Sequence, residues 1–163
     1  MTNNDVLRTL RYSLSLDNIA LLACLKEVGV RLEPRELAAL LKQEDEPGFM
    51  PLPDEVLEHL LQGLIIRLRG RREEPEPEPA VPPKLPLRLT NNRILRALRI
   101  ALALQDRDLI TIMGLSGVTV GKAELSALFR REGHRNHQPC GDQFLRQFLR
   151  GLATWQRSGR QPA

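Results

Sequence analysis

Aromatic side chains are scarce in this chain: its 163 residues include one Trp, one Tyr and four Phe. Few rings are therefore on hand to stack the bases of a single strand, which argues against that mode of recognition. Only two cysteines occur, Cys24 and Cys140. They exclude a disulfide-rich scaffold and, with no signal-peptide pattern at the start, point to a reducing cytoplasmic setting. No apolar run approaches the roughly 20 residues needed to cross a bilayer. The longest, Leu60 to Ile66, is interrupted by Gln62, so no membrane partner is expected.

A glycine-rich phosphate loop is also missing. Gly117-Val118-Thr119-Val120-Gly121-Lys122 lacks the full spacing of such a loop and has no strand before it. No Ser/His/Asp order stands out, and His59, His134 and His137 have no counterparts elsewhere in the chain. The reading is of a protein that is not an enzyme, with no catalytic residue, cofactor or metal assigned.

What the chain does have is a repeat. Asn3-Asn4-Asp5-Val6-Leu7-Arg8-Thr9-Leu10-Arg11 returns as Asn91-Asn92-Arg93-Ile94-Leu95-Arg96-Ala97-Leu98-Arg99, an offset of 88 positions. The same offset carries Gly29-Val30 onto Gly117-Val118, Glu36-Leu37 onto Glu124-Leu125 and Gly63-Leu64 onto Gly151-Leu152. A duplicated unit follows, spanning 1–70 and 88–158. Between the copies, 71–87 holds Glu73, Glu74, Glu76 and Glu78 among closely spaced prolines. Proline at that density fixes φ and removes amide donors, so an extended Pro/Glu-rich linker is expected there rather than a docking motif for a proline-binding module.

Each unit reads as four helices, an all-α fold without strand-like alternation. Leu7, Leu10 and Leu14, matched by Leu95, Leu98 and Leu102, make an apolar stripe, with Asn4 and Asn92 as expected N-caps. The second helix is predicted over about 18–28 and 106–115, ending where Gly29 or Gly117 takes a left-handed conformation. The third is predicted over 34–43 and 122–131. Asp54 and Asp142 are expected to cap the fourth, which buries Val56, Leu57, Leu60, Leu61 and Leu64 in one copy and Phe144, Leu145, Phe148, Leu149 and Leu152 in the other. A helix-turn-helix around Gly29 or Gly117 fits poorly, because Leu25 and Met113 stand four residues earlier, where a tight crossing favours a small side chain.

Charge is unevenly shared. Residues 1–83 contain ten Lys or Arg against fifteen Asp or Glu, and residues 84–163 contain fourteen against five, formal balances of −5 and +9. In the repeated framework, Arg8, Arg11, Arg96 and Arg99 recur together with Glu44, Asp54, Glu132 and Asp142. Structural ion pairing explains that joint recurrence best. Other arginines belong to the second unit alone: Arg146 stands for Glu58, Arg150 for Gln62, and Arg130-Arg131 for Lys42-Gln43. Arg146 and Arg150, one turn apart, form with Arg157 and Arg160 a basic face that suits nucleic acid or an acidic protein. Small units, opposite charges and a long spacer also suggest a homodimer. His134, His137, Cys140 and Asp142 have metal-ligand composition, but no recognised zinc spacing accompanies them, and a polar loop with Asp142 as cap is the simpler reading.

The stretches Asn3 to Arg8, Glu44 to Phe49, Asn91 to Arg99 and above all Cys140-Gly141-Asp142-Gln143-Phe144-Leu145-Arg146-Gln147-Phe148-Leu149-Arg150-Gly151-Leu152 resemble the bacterial YehS-like family, built from two copies of a domain of unknown function. The resemblance spans nearly the whole chain outside the linker. It implies a bacterial cytoplasmic protein and brings no activity, substrate or cofactor with it. The expected role is a protein-interaction or scaffold module, with a nucleic-acid-associated regulatory protein as the alternative and a metal-dependent or thiol enzyme well behind.

Overall fold

The computed structural model describes residues 1–70 and 88–158. The expected linker, 71–87, and Arg160 lie outside the described residues. Eight helices account for the regular structure described: α1 (Asn3–Ser13), α2 (Asn18–Glu27), α3 (Pro34–Leu41), α4 (Asp54–Arg69), α5 (Asn91–Ala101), α6 (Asp106–Leu115), α7 (Lys122–Phe129) and α8 (Asp142–Arg157). The offset of 88 maps α1–α4 onto α5–α8 helix by helix, so the protein is all-α and built from two similar units.

Local signals set the helix ends. Thr2 and Thr90, not the asparagines, are the N-caps: their hydroxyls accept from Asp5 N and Arg93 N. Thr2 N also donates to Asp5 Oδ2, completing a capping box that Arg93 cannot make. Gly29 and Gly117 do terminate α2 and α6 in the left-handed region, at φ of 81° and 85°. There Val30 N donates to Leu25 O and Val118 N to Met113 O, the six-to-one bond of a helix stop.

Asn4 and Asn92 serve a longer-range purpose. Inside the first turn and largely covered, Asn4 donates to Leu40 O and Met50 O at 2.8 and 2.9 Å and accepts from Leu52 N at 2.9 Å. Asn92 repeats all three bonds with Leu128 O, Gln138 O and Cys140 N. One amide thus ties the end of the third helix to the loop before the fourth, satisfying backbone groups that the apolar interior would otherwise strand. Asn3 and Asn91 extend the tie to Asp54 and Asp142. Those carboxylates stand in the first turns of α4 and α8 but make no capping bond there.

Within each unit, α2 crosses α4 and α6 crosses α8 at a glycine. A Cβ on Gly63 would lie 2.0 Å from Cys24 O, and one on Gly151 would lie 2.0 Å from Ile112 O. Only a residue without a side chain permits this approach.

The units then pack on each other twice, α1 against α8 and α4 against α5. Because α1 matches α5 and α4 matches α8, these are the same helix pair used in both directions, the signature of a pseudo-two-fold arrangement. Leu7, Leu10, Leu57, Leu61, Leu95, Leu98, Leu145 and Leu149 are all buried in one continuous core. The cover that a small unit needs is supplied here by the other unit of the same chain.

Candidate functional site

The two seams are chemically different. Across the α4–α5 seam, Glu58 accepts from Arg93 Nη2 at 2.7 Å, and its side chain is only 13% exposed. Leu61, Ile65, Ala97 and Ile100 line the same seam, leaving a cavity of about 230 Å³.

Across the α1–α8 seam the matching positions read otherwise. Arg146 replaces Glu58 and Asp5 replaces Arg93, a pair with its charges exchanged. That pair does not close. Asp5 is already engaged by Thr2 N and by the Arg8 guanidinium. Burial alone would raise its pKa, but the Thr2 hydrogen bonds and the Arg8 charge outweigh it, and Asp5 ends below the ordinary carboxylate value. Ala153 stands where the other seam has Ile65, and Arg150 where it has Gln62. The result is an open cleft of about 550 Å³ lined by Arg146, Arg150 and Arg157 from α8 and by Asp5, Thr9 and Tyr12 from α1. Arg157 lies over the Tyr12 ring at 4.2 Å, and Tyr12 is 58% exposed. The guanidinium groups of Arg146 and Arg150 make no hydrogen bond or ion pair among the described residues, although the Arg146 charge acts on nearby Asp142.

At the mouths of the seams one contact is shared. Leu89 N donates to Asp54 Oδ2 at 3.0 Å, and the nitrogen of Met1 donates to Asp142 Oδ2 at 2.7 Å. Asp54 is held below the usual carboxylate range by its bonds from Asn3 and Leu89 N. Asp142 is held there by the Met1 ammonium and Asn91.

The basic residues expected to act together are divided. Arg146 and Arg150 share the cleft, whereas Arg130 and Arg131 follow α7 beside Arg93, Arg96 and His137. The framework arginines do not pair with Glu44, Asp54, Glu132 or Asp142 among the described residues. Arg8 binds Asp5 and Lys42 O, Arg11 Nε reaches Asn18 Oδ1 at 3.1 Å, Arg96 donates to Phe129 O at 3.3 Å, and Arg99 binds Asp106 at 2.8 Å while lying over Phe129. Each reaches a group within its own unit, whereas Asp54 and Asp142 are taken by Asn3 and Asn91.

The His/Cys cluster does not converge. Among the described residues no group of three or more His, Cys, Asp or Glu is placed to hold a metal. Cys140 is buried, and that burial, with Asp142 nearby, pushes its thiol up to about 12, far from the thiolate that nucleophilic chemistry requires. Burial likewise raises Cys24. No helix among the described residues is long and apolar enough to cross a membrane.

The α1 wall of the cleft, Asp5, Thr9 and Tyr12, was not among the expected site residues. Its signal is the aligned difference between the repeats, Tyr12 against Ile100 and Asp5 against Arg93, which acquires meaning once α1 is known to face α8.

Fold and seams define a class: an all-helical protein of two tandem copies of one four-helix unit, docked through matching surfaces. A family model described as "Protein of unknown function (DUF1456)" matches the chain twice, over residues 3–70 and 91–158, and the chain belongs to this family. It is similar to the "Uncharacterized protein YehS" of Escherichia coli (strain K12), with 41% identity over 156 residues, 96% of this chain and 97% of the relative. No solved structure matches the chain.

Proposed function

We propose that the protein is a non-enzymatic, nucleic-acid-associated binding module whose α1–α8 cleft takes backbone phosphates. The observation that carries this reading is the pair of arginines, Arg146 and Arg150, set beside Arg157 on one wall with no carboxylate bound to them among the described residues. Guanidinium groups with no carboxylate bound to them in a cleft favour a polyanion, and each phosphate they contact releases condensed counterion. Base reading is not part of the proposal, since Tyr12 is the sole ring in the cleft and Arg157 covers it. A cytoplasmic setting accords with two free, buried cysteines.

Fluorescence anisotropy with short duplex and single-stranded probes, titrated against salt, tests the proposal. The whole chain should bind with little sequence preference, and Arg146→Ala/Arg150→Ala should reduce the salt slope by about 2. Undiminished binding by that variant, or none by the parent chain, would overturn it.

A protein-interaction role, including a homodimer, is supported by a different observation. Ile19 is 77% exposed on α2, and Leu68 and Leu115 are about half exposed at the ends of α4 and α6. Sedimentation equilibrium at micromolar concentration gives twice the chain mass for a dimer, and Ile19→Glu should then return it to the mass of one chain.

A further inference from the structure

Among the described residues, three buried polar atoms of the second unit have no partner: Gln147 Oε1 on α8, and the pair Arg93 Nε and His137 Nε2. That pair belongs to residues lining one cavity of about 210 Å³, walled also by Arg96, Arg130, Arg131 and Phe129. Buried polar groups are rarely left unsatisfied, and a recurrent reason is an ion or ligand that completes them. The first unit offers no such place. Its counterparts to Arg93, Arg131 and His137 are Asp5, Gln43 and Phe49, and its Arg8 is engaged by Asp5 and Lys42 O.

The geometry points to this cavity as a binding site for a phosphomonoester, its phosphate held by Arg130 and Arg131 with Arg96, Arg93 Nε and His137 Nε2 as further donors. The charge balance favours a dianion. Arg93 has given one nitrogen to Glu58, and Arg96 donates weakly to Phe129 O at 3.3 Å. The side chains of Arg130 and Arg131 have no hydrogen bond or ion pair among the described residues, although Arg131 O accepts from His134 N. Glu132 is the one carboxylate in the wall. Planar guanidinium donors in this number match the three oxygens of a terminal phosphate better than the two of a diester.

Size separates the phosphate from the remainder of the ligand. The cavity is smaller than the several hundred Å³ that a whole small molecule occupies, so it suits the phosphate head. Arg96 and Phe129 also line a neighbouring hollow of about 580 Å³, where Ile100 and Leu104 give apolar wall for an organic body. The site does not rest on the α1–α8 cleft, since it shares no residue with it.

Calorimetry on the full chain in phosphate-free buffer, with phenyl phosphate, inorganic phosphate and phenol as probes, tests the assignment. Phenyl phosphate should bind more tightly than inorganic phosphate, and phenol should give no heat. Arg130→Ala/Arg131→Ala should weaken phenyl phosphate about tenfold or more, because charged hydrogen bonds are lost. Both side chains are exposed and unpaired, so an unchanged melting temperature will show that the fold survives. His137→Phe, which installs the residue of the first unit, should weaken binding several-fold, and Arg146→Ala/Arg150→Ala should leave it intact. An oligonucleotide with a terminal phosphate that outcompetes its hydroxyl-ended twin through Arg130 and Arg131 would assign the site to a strand end. Equal competition would assign it to a free phosphorylated small molecule. Failure of phenyl phosphate to bind, or equal affinity in the Arg130/Arg131 variant, overturns the proposal without touching the cleft.

Discussion

Duplication gave the α1–α8 and α4–α5 seams the same helices, crossing partners and mouth contacts, yet one is closed and the other open. In the closed seam Arg93 meets Glu58, and Ile65 and Ile100 narrow the space beside them to a cavity of about 230 Å³. In the open seam Asp5 turns back to Thr2 and Arg8, Ala153 leaves room, and three arginines of α8 line the gap. The difference lies in a few side chains on an unchanged backbone plan. An ion pair with one partner nearly covered fixes a docking geometry, whereas like charges left facing a cleft contribute little to stability and are free to meet a ligand.

That comparison requires the units to be equivalent inside, and the glycine crossings test this with the largest expected effect. Gly63→Ala and Gly151→Ala each drive a methyl into a backbone carbonyl. Each should cost about 3 kcal/mol or more, or prevent folding, because α4 or α8 must lift from its partner. Denaturant midpoints measure it. A large loss at one glycine and none at the other would show that the units pack differently.

The second test separates the seams directly. Glu58→Ala leaves Arg93 without its carboxylate at a half-covered site and should lower stability by about 1–2 kcal/mol. Arg146→Ala, at the matching position, should change it by less than about 0.5 kcal/mol. Equal losses would mean that the cleft is held together by Arg146 and is not open.

How far the sequence reaches is instructive at particular residues. The offset of 88, the leucine stripes and Gly29 and Gly117 locate the helices because they follow rules acting within a few residues. Asn4 and Asn92 misled for the same reason. A local rule makes them caps, while their actual partners lie 36 to 48 residues away, where Leu40 O and Leu52 N needed an amide. Joint recurrence of Arg8 with Asp54 was real, but the two are bound to different groups. Arg146 and Arg150 were legible as basic residues on one side of a helix. That α1 forms the opposite wall depends on how the units dock, which no periodicity encodes.

Acid provides a third comparison, at the mouths of the seams. Asp54 and Asp142 have folded pKa values below the ordinary carboxylate value, so their stabilisation is present above about pH 3.9 and is lost as pH falls through the folded values. Stability should therefore decline on the acid side of that pH. Asp54→Asn should flatten the decline more than Asp142→Asn, because the Asp142 side chain is 50% exposed and its contact with the Met1 ammonium is screened by solvent. Urea unfolding from pH 5 to pH 2.5, chosen to bracket about pH 3.9, reads the slopes. A steeper loss in the parent chain than in either variant is the expected order, and identical slopes would remove these carboxylates from the acid response.

The smallest effect concerns the turns that follow α1 and α5. Ser15 and Ala103 occupy matching positions in the left-handed region, at φ of 52° and 53°, where Leu16 N and Leu104 N reach back to Arg11 O and Arg99 O. A side chain there costs about 1–2 kcal/mol, and glycine would remove that strain while giving back about 0.5–1 kcal/mol in chain entropy. Ser15→Gly and Ala103→Gly should each raise stability by about 0.5 kcal/mol. Ala103 also borders the hollow beside Arg69 and Arg99, whereas Ser15 lines neither the cleft nor that hollow. Equal gains, measured as shifts in denaturant midpoint, would show that the helix ends are independent of what the seams became. A gain at Ser15 alone would mean that the Ala103 methyl contributes to the wall of the hollow, and the asymmetry between the units would then extend beyond the seams into the turns.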